Sequence, residues 1–268
     1  MRRVLLAMAM FGAVSCAQAA DMPDYLRGSV GPAPTVNWRG FYVGGQAGYG
    51  SSDENFSGSN TNMLAALISD NVIQQMGVSQ WNLGLGKDSA RAPGYGAFAG
   101  YNWQWDDVVL GVEGSYLHGS FGGTSSAFKE LVGGPLSDSL FHDVSVSSSA
   151  SIAISDMATF RGRAAYSFGC FLPYAFGGLA LGNANISRSV LVTDAVSAAR
   201  FGPYTQLQPL SADDTMHNHM IYGYTAGLGI DINLIGGLFM RAEWEYVRFT
   251  DQVDTSINTV RAGLGYKF

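Results

Sequence analysis

Charge is scarce in this sequence. Asp, Glu, Lys and Arg make up 13% of its 268 residues, about half the roughly 25% usual in soluble domains. No long hydrophobic run takes its place. Beyond the first 20 residues no stretch approaches the ~18 consecutive apolar residues of a membrane helix, although 47% of the chain is hydrophobic. Cysteine is nearly absent: Cys16 and Cys170 are the only two, which rules out a disulfide-stapled scaffold. Basic residues are outnumbered, 15 against 21 acidic ones, so nucleic acid is excluded as a partner. The motifs G-x-S-x-G, H-E-x-x-H, C-x-x-C and the P-loop are all missing. The sequence therefore predicts no enzyme, no cofactor and no catalytic or metal-binding residue.

The N-terminus carries what hydrophobic run there is. Arg2 and Arg3 precede VLLAMAMFGAV, and Ala17 and Ala19 make an Ala-x-Ala site. These features describe a secretory signal peptide, expected over 1–20 with cleavage after Ala19 or Ala20. The run is too short for a membrane anchor, which takes roughly 20 apolar residues. A competing lipoprotein reading, with Cys16 lipidated, is set aside for the Ala-x-Ala site just beyond it. Cleavage leaves 13 basic against 21 acidic residues, a net charge of −8. Residues 21–37, rich in Pro and Gly and without period, read as a flexible leader.

Glycine is abundant, with 35 residues, and so is a period of two. In GFYVGGQAGYG, Phe41, Val43, Ala47 and Tyr49 alternate with Tyr42, Gly44, Gln46 and Gly48. In GYGAFAGYNWQW, Tyr95, Tyr101, Trp103 and Trp105 oppose Phe98, Asn102 and Gln104. VVLGVEGSYLHG, ATFRGRAAYSF, FLPYAFGGLALG, MIYGYTAGLGIDI, GLFMRAEWEYVRF and INTVRAGLGYKF complete eight segments, most of them alternating in the same way. Each is about as long as the 9–11 residues a tilted strand needs to cross a bilayer. Tight turns join strands two and three, four and five, and six and seven. Long links at 51–93, 119–156, 184–219 and 250–256 join the rest. Short turns at one end and long loops at the other predict an all-β fold, an eight-stranded antiparallel transmembrane β-barrel over 38–268. A soluble sandwich would need a solvated polar face. Here that face is mostly Gly, Ser and Thr, which suits a narrow interior.

Within the long links, Leu64, Leu67, Ile68, Val72 and Met76 stand at helical spacing, with Asn62 as N-cap and Gly77 as stop. SVLVTDAVSAARF is expected to hold another helical turn. DVSVSSSASIAIS either extends the fourth strand or supplies an extra hairpin, the alternative of ten strands.

AAD-x-P, NWRGFYVGG-x-x-GYG, RGRAAYSF, LPYAFGGLA, RAEWEYV and INTVRAGLGYKF resemble the outer-membrane β-barrel surface proteins of α-proteobacteria, the Omp25, Omp31 and RopB type, a family often named porins. The resemblance covers 38–50 and most strands through 268, but not the long loops. It implies export to the Gram-negative cell outer membrane, a periplasmic leader, and roles in envelope integrity and surface contact. The partners implied are outer-membrane lipid, the outer-membrane assembly machinery, and host or surface ligands of the external loops. A small porin or a haem-binding surface protein is the alternative, and a lipid-modifying barrel enzyme stands behind both.

Strand phase turns Glu113, Arg161, Arg163, Arg241, Glu243, Glu245, Arg261 and Lys267 into the lumen. An eight-stranded interior has room only for side chains, and unpaired buried charges are very costly. The expectation is a polar network acting as a plug; a gated ion path is the competing reading. His217 and His219 form an H-x-H pair that would share a strand face and suit a metal or haem iron. No third ligand accompanies them, His118 and His142 lying in other loop regions, so they are read as surface histidines. Arg261, Gly263, Tyr266 and the terminal Phe268 are expected to form a C-terminal assembly signal.

Overall fold

A computed structural model describes residues 36–250 and 253–268. The expected signal peptide and the leader through residue 35 lie outside the described residues. Eight antiparallel strands form the ring: β1 (Gly40–Asn55), β2 (Lys87–Trp105), β3 (Val108–Gly133), β4 (Phe141–Tyr166), β5 (Phe171–Ser197), β6 (Leu210–Ile235), β7 (Leu238–Phe249) and β8 (Asp254–Lys267), and a two-residue strand, Thr205–Gln206, edges β5 outside it. Each of the eight pairs with its neighbours in sequence, and β1 pairs with β8 from Tyr42↔Lys267 to Asn55↔Asp254, closing the ring. This is the eight-stranded barrel the alternation predicts.

The local causes are plain. Asp106 and Gly236 take left-handed backbone angles, φ 50° and 60°, which two-residue hairpins between twisted strands require. Outward residues such as Phe160, Leu179, Tyr222, Leu228 and Val260 are more than half exposed. A closed ladder with an apolar outside is the form in which strands can lie in lipid, since no backbone group is left unpaired.

Four strands are far longer than a bilayer needs. β3, β4 and β6 have 26 residues and β5 has 27. Pairing of β2 with β3 stops at Gly94↔Gly119, and pairing of β6 with β7 stops at Gly223↔Phe249. Past those points β3, β4, β5 and β6 continue as a four-stranded sheet. β8, β1 and β2 continue as a shorter three-stranded one that ends at Asn55. The links expected at 119–156 and 184–219 are thus mostly strand. DVSVSSSASIAIS lengthens β4, and no extra hairpin enters the ring. The stretch of SVLVTDAVSAARF through Ser197 is part of β5, not a helical turn, and residues 198–201 follow as bend and turn. Its Val190, Val192 and Asp194 are buried while Leu191 is exposed, a period of two imposed by packing on one face.

The excursion between β1 and β2 supplies what is packed there. It holds a helix, α1 (Thr61–Leu67), and two 3-10 turns at Val72–Met76 and Val78–Gln80. The expected single helix is broken in three. The N-cap is Asn60 and not Asn62; the Asn60 amide donates to Ser148 Oγ and to the Ser149 carbonyl, both at 2.8 Å. That contact ties the helix to β4. Gly77, at φ 70°, is the stop the sequence predicts. Leu64, Ile68, Ile73, Val78 and Trp81 pack on Val144, Val146, Val190 and Val192. Each fully buried aliphatic side chain contributes about 1.5–3 kcal/mol.

Candidate functional site: the filled lumen

Three tiers of side chains occupy the interior. Nearest the tight turns lie Trp38, Tyr42, Phe98, Tyr174, Phe176 and Phe239. They fit because inward glycines make room: a Cβ on Gly229 or Gly265 would overlap the ring of Tyr174 or Phe239. At the other end an apolar tier of Phe56, Leu117, Phe121, Ile154, Phe249 and Ile257 closes the lumen beneath the extended sheet.

Between them sits the charged tier. Glu113 on β3 is its hub. It accepts Arg161 Nε at 3.0 Å, Arg241 Nη1 at 2.8 and 2.9 Å, and the Tyr42 hydroxyl at 2.6 Å. Arg163 Nη1 reaches it at 3.3 Å and donates its other terminal nitrogen to Asp231 at 2.7 Å. Asp231 also accepts Arg241 Nε at 2.8 Å. Glu243 accepts both terminal nitrogens of Arg161 at 2.8 and 2.7 Å and the Tyr174 hydroxyl at 2.9 Å. Glu245 takes Arg161, Arg261 and the Thr225 hydroxyl. Guanidinium planes rest on the aromatic tier, Arg241 over Phe98 and Arg163 over Tyr174, each 3.9 Å from the ring centre.

All eight charged groups are buried, and they are four arginines and four carboxylates. Charge balance and bidentate geometry are what make so dry a cluster tolerable. Each carboxylate is committed to arginine, so the arrangement offers no free acid or base. Its chemistry is that of a lock.

Of the eight charged residues that strand phase turns inward, the structure brings together seven as a network, from Glu113 to Arg261. Lys267 lies apart, at the barrel end, donating to the Asn37 carbonyl. Asp231, Tyr42, Tyr174 and Thr225 complete the cluster although the sequence reading leaves them out of it. Asp231 shares the inward phase of β6, and that was the available signal. At the C-terminus, Gly263 lies opposite Gln46 on β1, and the Phe268 N–H donates to the Phe41 carbonyl at 2.9 Å.

The histidines are dispersed. His217 and His219 do not share the regular face expected of them. Two residues of β6, 217 and 218, oppose the single Asn185 of β5, and Asn218 has φ 52°, a β-bulge that breaks the period of two. His118 lies at the barrel rim, its Nδ1 2.8 Å from Asp156. Ser155 donates to Asp156 as well, at 2.6 Å, so the hydroxyl is bonded to the carboxylate and not to the imidazole a nucleophile would need. His142, at the far end of β4, lies 2.9 Å from both Asp138 and Asp194.

Comparison with known families agrees with this architecture. The family model described as outer membrane protein beta-barrel domain matches residues 4–268. The 25 kDa outer-membrane immunogenic protein of Brucella ovis is 25% identical over 236 residues, covering 88% of this chain and 81% of its own length. The 22 kDa outer membrane protein of Rhizobium leguminosarum bv. viciae is 23% identical, covering 88% and 80%. Among solved structures, Ail, the attachment invasion locus protein of Yersinia pestis, matches 86% of this chain and 99% of its own at 16% identity, with a TM-score of 0.35. Neisserial surface protein A matches 85% and 97% at 15% identity, with a TM-score of 0.34.

Proposed function

Because this chain belongs to the outer membrane protein β-barrel domain family and resides in the Gram-negative outer membrane, we propose that it is a non-enzymatic, non-conducting barrel. It anchors an extended sheet at the cell surface and contributes to envelope integrity. The observation that carries this reading is the filled lumen. Three tiers of buried side chains leave the charged groups 4% exposed or less, and a water-filled pore would hydrate them. The part offered for contact is the four-stranded sheet beyond Gly119 and Gly223, braced from within by α1. Surface ligands would meet its strands before any flexible loop.

The test is a planar-bilayer recording of the refolded protein, with solute uptake into liposomes measured in parallel. The expected result is no steady unitary conductance and no uptake above that of empty liposomes. Steady, large unitary conductance would overturn the reading in favour of a porin. A version lacking the excursion between β1 and β2 should stay closed as well, since the charged tier lies below it.

A further inference from the structure

Beyond Gly94 and Gly119 the barrel wall is split, because β2 and β3 no longer pair. Glu54 stands near this seam on β1, directly opposite Asp88 of β2. The two acids flank the excursion that carries α1. Glu54 is 1% exposed, and neither of its carboxylate oxygens has a hydrogen-bond partner among the described residues. Ser52, on the same face two residues earlier, is 0% exposed, and its Oγ, near enough to Glu54 to favour the ionised carboxylate, makes no well-formed hydrogen bond. Across the seam the Thr124 N–H donates to Asp88 Oδ2 at 3.0 Å. A Cβ placed on Gly123 would lie 2.6 Å from Asp88 Oδ2 and 2.9 Å from Glu54 Oε2. Oxygens from two strands therefore converge on the space which that glycine leaves.

The lumen balances its four carboxylates with four arginines. At the seam no lysine or arginine among the described residues pairs with either acid. A buried, unpaired carboxylate is costly, and like charges directly opposite in an antiparallel pair are destabilising. Two carboxylates and a hydroxyl are hard oxygen donors. Such a set suits calcium, which tolerates irregular coordination, better than magnesium, which demands a near-ideal octahedron.

We propose that Glu54, Asp88 and Ser52 bind a divalent cation of the calcium class at the seam. The ion joins the base of the α1 excursion to the edge of the extended sheet. Docking of that excursion then depends on calcium outside the cell.

The full chain is refolded in detergent micelles free of lipopolysaccharide, stripped with EDTA and titrated with calcium chloride by calorimetry, with thermal unfolding followed in parallel. Wild type should show one saturable site and a higher unfolding temperature in calcium. Glu54→Gln should weaken binding at least tenfold, and Ser52→Ala severalfold. In EDTA, Glu54→Gln should unfold no earlier than wild type, which shows that the fold is intact; Asp88→Asn gives the same comparison if it does not assemble. Three results overturn the proposal: no saturable binding by wild type, equal binding by Glu54→Gln, or stabilisation of wild type in EDTA by acid with no response to calcium. The last would mean that a proton neutralises Glu54.

Discussion

Arg241 on β7 crosses the barrel to Glu113 on β3, 128 residues away in the chain, and one guanidinium nitrogen donates to both carboxylate oxygens at 2.9 and 2.8 Å. The contact joins opposite walls directly, so the ring is braced across its diameter as well as around its circumference.

Glu113 serves three arginines at once. Glu113→Ala leaves them short of a counter-charge in a dry interior, and breaking such a cluster costs about 3–5 kcal/mol. Equilibrium unfolding of the refolded variant in urea should show a loss of that size. Glu113→Gln, which keeps the shape and the hydrogen-bonding oxygen, should lose less.

Leu64 is fully buried between α1 and the extended sheet. Leu64→Ala should weaken that packing by about 2–5 kcal/mol. The expected readout is faster cleavage within 61–86 when protease is added to intact cells, while the heat-modifiable mobility of the barrel stays normal.

His142 links Asp138 and Asp194 at the outer end of β4. Burial opposes its charged form, but the hydrogen bonds to the two carboxylates outweigh that and hold the imidazole pKa above the usual 6.5. A raised folded value means the stabilisation is complete below pH 6.5 and is lost as pH rises through that value. Amide exchange at 136–145 should therefore accelerate on going from pH 6 towards alkaline buffer, beyond the intrinsic pH effect. His142→Gln should flatten the difference.

Phe268 closes the ring at its last residue, bonding to Phe41 and stacking near it with ring centres 6.0 Å apart. Deleting Phe268 should lower the amount of assembled, heat-modifiable protein in the outer membrane and leave export unchanged. Normal assembly would show that the terminal aromatic is only part of a strand.

The barrel was legible because lipid and lumen impose a strict period of two on each strand. The same phase placed Arg161, Arg163 and Glu243 indoors. It placed Asp231 there too, but nothing in one strand reveals which inward group will meet which across the ring; the arginines that meet Glu113 stand 48 to 128 residues from it. The reach of β3 to β6 was not legible for a different reason. Ser147, Ser149 and their neighbours look like loop composition. They become strand because their alternate partners, such as Val144 and Val146, bury against α1, and that partner lies some 80 residues earlier in the chain. Packing from outside the segment decided its structure.

Equal numbers of opposite charges in the lumen have one further consequence. An electric field across the membrane pulls on arginines and carboxylates in opposite directions. With four of each the net force is zero, and only torque on locked pairs remains. The charged tier therefore has no net charge, and a change of outer-membrane potential exerts no net pull on it.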